Sequence, residues 1–80
     1  MSITPNGIPL KLMNRVYYMR TLADDELSVA LSELVDDFKN DEVQITYKEI
    51  SHRCYVFKLN FIRTYDDNQF NFKTSVTLNV

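Results

Sequence analysis

The side chains able to do chemistry are few. His52 is the only histidine and Cys54 the only cysteine, two residues apart. On a strand that spacing points both the same way, but nothing nearby in the sequence orients the imidazole, so the pair is the weakest form of a Cys–His nucleophile. As zinc ligands the pair supplies two of the four that a structural site takes, and adding the acids Asp66 and Asp67 still makes a poor set. Adjacent acids recur at Asp24-Asp25, Asp36-Asp37 and Asp66-Asp67. A catalytic carboxyl needs a cleft that raises its pKa, whereas these pairs fall on a helix surface or a hairpin tip. Gly7 is the only glycine, which excludes a phosphate-binding loop, a GxGxxG turn and a nucleophile elbow. The expectation is a protein that is not an enzyme and needs no metal and no cofactor.

Charge carries more. Residues 24–42 hold eight acids and one base, Lys39, a segment charge of −7, although the whole chain is only −2. Solvated helices usually mix signs to gain i,i+4 pairs of a few tenths of a kcal/mol each. Here Glu33, Asp36 and Asp37 have almost no basic neighbours in the sequence. The plain reading is a solvated polar face. The sharper one is a docking surface of Asp25, Glu33, Asp36 and Asp37 for a larger protein with a basic surface, since complementary charge speeds and selects association. Bases gather elsewhere, at Lys11, Arg15, Lys48, Lys58 and Lys73. With Tyr17 they would form a basic, aromatic sheet face, a candidate for single-stranded nucleic acid through stacking and phosphate contacts. Met13, Met19, Val56 and Ile62 alternate onto that same face, which also suits a homodimer through Met13, Tyr17, Val56 and Ile62.

The elements that must position these groups follow from hydrophobic periodicity. Residues 1–9 are a lead-in, in which two prolines around Asn6-Gly7 mark residues 5–9 as ordered and residues 1–4 are expected to be loose. Residues 10–20 alternate, with Leu10, Leu12, Val16 and Tyr18 on one face, and predict a strand, though Leu-Lys-Leu-Met also tolerates a helix. Over residues 22–39, Leu27, Ala30, Leu31, Leu34, Val35 and Phe38 make one stripe of a helix of period 3.6. Thr21 and Asp24 resemble a capping box, and Asn40 suits a left-handed C-terminal cap. Residues 43–50, 54–65 and 70–80 alternate as three strands of a meander. A three-residue loop, Ser51-His52-Arg53, joins the first two. A four-residue loop, 66–69, joins the last two, pairing Tyr65 with Phe70 and Phe61 with Thr74.

The expected fold is therefore α+β, a two-layer β-α-β-β-β domain over residues 1–80. One amphipathic helix packs on a mainly antiparallel four-stranded sheet. At 80 residues and 45% apolar content, such a domain buries only about 60–65% of its unfolded surface, so packing must be good or a partner must help. One cysteine leaves no internal disulfide. Neither a secretory leader nor an apolar run of about 20 residues is present, so no membrane partner is expected and the cytoplasm is the expected compartment. Abundant Asn, Lys, Ile, Phe and Tyr with two Ala is the bias of an AT-rich coding sequence, as in many phages. A small phage-encoded inhibitor of host machinery is one form of the protein-binding reading.

Overall fold

A computed structural model describes residues 7–80, so the start of the expected lead-in, residues 1–6, lies outside the described residues. The element order is α1 (Leu10–Met19), α2 (Asp24–Asp37), β1 (Val43–Ser51), β2 (Cys54–Tyr65) and β3 (Asn68–Asn79). The strands form one antiparallel sheet in the order β1-β2-β3. The α+β class holds. The four-stranded sheet and the β-α-β-β-β order do not, because residues 10–20 form a helix instead of a strand.

The physical reason lies in one residue. Leu12 and Val16 are four apart, an even spacing that suits a strand face and also one helical turn. Met19 and Tyr18 separate the two periods. A strand would bury Tyr18 beside Val16, whereas a helix buries Met19; Met19 is 0% exposed and Tyr18 60%. Pro9 precedes the first turn at φ −58°, and its carbonyl accepts from the amides of Leu12 and Met13 at 3.0 and 3.1 Å. Its fixed φ and missing N–H cost nothing at a helix start.

Helix α2 buries Leu27, Ala30, Leu31, Leu34 and the following Phe38, the expected stripe, with Val35 half-buried at its margin. Its caps differ from expectation. The Thr21 hydroxyl donates to the Tyr18 carbonyl at 2.7 Å, leaving Ala23 at the N-cap without a side-chain bond. Asn40 is not left-handed; among the described residues, positive φ falls at Arg53, Asp66 and Asp67 apart from Gly7.

Both helices share one core with the inner sheet face, where Val43, Ile45, Tyr55, Phe57 and Leu59 are buried. The β1–β2 turn is tighter than the expected loop. Ser51 pairs with Cys54, leaving only His52 and Arg53 in the turn, and the register slips between Glu49 and Ser51, a bulge at Ile50. The β2–β3 hairpin also closes tighter than expected. Tyr65 pairs with Asn68 and Phe61 with Phe72, so two residues, Asp66 and Asp67, make the turn at φ 49° and 61°. Positive φ at both central positions is the twist-compatible two-residue hairpin turn, and Asp tolerates it better than most residues. The shift from the expected pairing is two residues, which keeps every side chain on its face. Val43 is the first β1 residue to pair, opposite Phe61. The Ile62 amide still donates to the Glu42 carbonyl at 2.7 Å, so residues 63–70 continue as a two-stranded arm, and the molecule measures 45 × 22 × 21 Å.

Candidate functional site

Three surfaces compete for a role: the outer face of α2, the outer face of the sheet, and the arm. On α2, Asp25, Glu33, Asp36 and Asp37 are all exposed. Helix geometry sets Asp25, Val29 and Glu33 in one row at i, i+4 and i+8, with Asp36 three positions beyond Glu33. Val29 is 59% exposed among them, a residue the charge pattern alone did not single out. Asp37 is no longer a free charge, because the Arg15 guanidinium of α1 donates to its carboxylate. The helix-flanking acids are paired likewise, Asp24 with Arg53 at 2.8 Å and Asp41 with Lys11 at 3.1 Å. Among the described residues, Asp25, Glu33 and Asp36 keep no ion pair.

The Lys11 ammonium, followed by the Glu42 amide, bonds to the Asp41 carboxylate and holds its pKa below the ordinary 3.8. A depressed carboxyl pKa contributes stability above the unfolded value, and that contribution fades as pH falls through the folded one. The Lys11 ammonium also lies 4.8 Å from the Phe38 ring centre, so one cation ties α1 to the end of α2. Burial, then the charge of Glu49, pushes the Tyr55 hydroxyl up from its usual 10.0.

The outer sheet face is smaller than the sequence suggested. Lys11, Arg15 and Tyr17 belong to α1, so they do not join Lys48, Lys58 and Lys73. The register sets Thr46, Lys58 and Ser75 in one row, with Gln44, Asn60 and Lys73 in the next. These residues line a shallow concavity, in which Asn60 Nδ2 donates to Gln44 Oε1 at 3.5 Å and Asn60 Oδ1 is buried without a partner. No aromatic residue alternates onto this face. The four residues of the expected homodimer patch are likewise divided, Met13 and Tyr17 on α1 against Val56 and Ile62 on the outer sheet face.

The arm is the surface that periodicity did not reveal. Phe70 in the arm and Phe72 in the last row beside β1 alternate onto the inner face, the face that carries the core, yet they are 58% and 65% exposed, and Tyr65 is 70% exposed. The Phe72 ring lies 5.9 Å from that of Phe61, but every residue from Arg63 to Phe70 is exposed.

His52 is exposed in the β1–β2 turn and Cys54 is half-buried and free. Among the described residues, no three His, Cys, Asp or Glu side chains gather as a metal site, and no helix is long and apolar enough to cross a membrane. No protein-family model, curated protein or solved structure matches this chain.

Proposed function

We propose that this chain is a small, non-enzymatic protein-binding module. The outer face of α2 docks on a basic surface of a larger protein. The observation that carries the reading is the charge left on that face: Asp25, Glu33 and Asp36 are exposed and without an ion pair among the described residues, while Lys11, Arg15 and Arg53 are committed to Asp41, Asp37 and Asp24. A partner's Lys and Arg side chains would meet three carboxylates that have no internal competitor, with Val29 as the apolar contact among them. Asp37 lies at the margin, shared with Arg15. The narrower form is an inhibitor, phage-encoded and working in the host cytoplasm, that covers a basic surface of host machinery.

The alternative, single-stranded nucleic acid on the outer sheet face, retains Lys48, Lys58 and Lys73 for phosphates. It loses Lys11, Arg15 and the stacking ring of Tyr17, and stacking supplies much of such binding. The test compares tagged wild type with the triple variant Asp25→Lys, Glu33→Lys, Asp36→Lys in nuclease-treated and untreated lysates, read by mass spectrometry. The expected result is a protein captured by wild type despite nuclease, released by salt and lost from the variant. Capture that ignores the charge reversal, or that disappears with nuclease, overturns the reading.

A further inference from the structure

We infer that the free edge of β3 pairs with the β3 edge of a second copy of this chain, in antiparallel register centred on Thr74, to form one continuous six-stranded sheet. The two edges of the sheet differ. The β1 edge is broken by the bulge at Ile50 and carries Lys48 and Glu49, devices that discourage pairing. The β3 edge runs twelve residues with no proline, no bulge and one charge, Lys73.

The hydrogen-bond phase of that edge can be read from its end. The Val80 amide donates inward to the Arg53 carbonyl at 2.7 Å, while the Asn79 carbonyl accepts from Arg20 Nε at 2.9 Å. Because bonding direction alternates along an antiparallel strand, the even residues of β3 are spent on β2. Asn71, Lys73, Ser75 and Thr77 turn their N–H and C=O groups to the open edge.

Self-pairing must set odd residues opposite odd ones while keeping both inner faces on one side. Centring on Lys73 would oppose two lysines, at a cost. Centring on Thr74 sets Lys73 opposite Ser75 and Asn71 opposite Thr77, and uses nearly the whole strand. On the inner face it sets Phe72 beside Val76 and Phe70 beside Leu78 of the other copy, which gives the exposed rings apolar neighbours. At the ends, the acidic turn Asp66-Asp67 of each copy lies just past Val80 of the other, next to Arg20. Arg20 is bonded to the Asn79 carbonyl and rests on the Tyr17 ring at 5.1 Å, with no carboxylate partner among the described residues.

The area also fits. A Phe presents about 150–250 Å², so Phe70 and Phe72, at 58% and 65% exposure, offer roughly 250 Å². The edge itself, about 40 Å long at the strand rise, supplies a similar area. Together they come to roughly 500 Å² per partner, the size of a weak, concentration-dependent dimer.

The test uses the full chain in sedimentation equilibrium, with circular dichroism to verify folding. Wild type is expected at twice the 9.4 kDa chain mass. In Asn71→Lys/Thr77→Lys, each new lysine faces one from the other copy, while their own β2 neighbours are Ile62 and Val56. In Asn71→Lys/Thr77→Glu the same positions attract. The first variant should dimerise about tenfold more weakly than the second, from two cross-strand pairs whose sign reverses. A wild type that stays at 9.4 kDa at the highest concentration reached overturns the inference. So does a dimer that both folded variants leave unchanged. This proposal stands apart from the acidic face of α2, whose charge-reversal variant leaves β3 untouched.

Discussion

Arg53 bonds three segments at once, which makes it the sharpest test of how the layers are joined. From the left-handed turn position at φ 54°, its Nε donates to the Val80 carbonyl at 2.6 Å. One terminal nitrogen meets Asp24 at 2.8 Å, and the other meets the Met19 carbonyl at 3.2 Å. The guanidinium thus caps the C-terminal end of α1 and neutralises an acid in the first turn of α2. Its side chain is only 22% exposed, but Asp24 is 71% exposed, so that ion pair contributes at most about 1 kcal/mol. The two bonds to carbonyls contribute roughly 1–1.5 kcal/mol each. Arg53→Ala should therefore cost about 2–4 kcal/mol, a large part of the roughly 4–12 kcal/mol expected for a chain of this length. Each kcal/mol is worth about 4–8 °C in Tm at this size. Arg53→Gly should be about 1 kcal/mol more stable than Arg53→Ala, because only the backbone strain differs. Arg53→Lys, with one donor point instead of a fork, should fall between Ala and wild type. Urea melts followed by circular dichroism, at constant m value, measure all three. An alanine variant within about 0.5 kcal/mol of wild type would refute the reasoning, and a lysine variant equal to wild type would reduce the role of Arg53 to charge alone.

Three further substitutions probe where sequence and structure part. Met19→Asp should cost more than about 3 kcal/mol by burying a charge, while Tyr18→Asp stays within about 0.5 kcal/mol; a strand over residues 10–20 requires the reverse order in thermal melts. Asp67→Gly removes side-chain strain at φ 61° and should raise stability by about 0.5–1 kcal/mol, with the hairpin register kept in NMR cross-strand contacts. A lower Tm for this variant would mean a turn of another kind.

Much of the fold is legible in the residues. Helix α2 and the Phe38 that follows it carry six apolar residues on one stripe, too many for period two to imitate, and the bounds of β2 follow from alternation alone. The failures share a cause: a periodicity test is blind to changes that preserve its period. Leu12 and Val16 satisfy two periods at once, so α1 turns on Met19, whose burial depends on partners distant in sequence. A two-residue shift in hairpin register leaves every inner residue inner, so only the turn chemistry of Asp66-Asp67 could have fixed it. The acidic face was visible as charge, yet the pairing of Asp37 with Arg15 was not, because it required α1 to be a helix lying beside α2.

The arm was accessible to arithmetic that alternation does not perform. A helix rises about 1.5 Å per residue and a strand about 3.3 Å. The fourteen residues of α2 therefore cover about 21 Å, while each twelve-residue strand of the long hairpin runs about 40 Å. A layer of helices this short cannot cover a hairpin this long, and β1, at nine residues, cannot flank all of it. Some inner-face residues must therefore lie beyond the core: Tyr65 and Phe70 are such residues, with Phe72 at the margin in the row of Val43 and Phe61. A chain that spends aromatic side chains at positions its own helices cannot reach leaves apolar surface for another surface to bury. The inferred β3 pairing rests on that length mismatch, whereas the proposed docking face rests separately on the unpaired charge of α2.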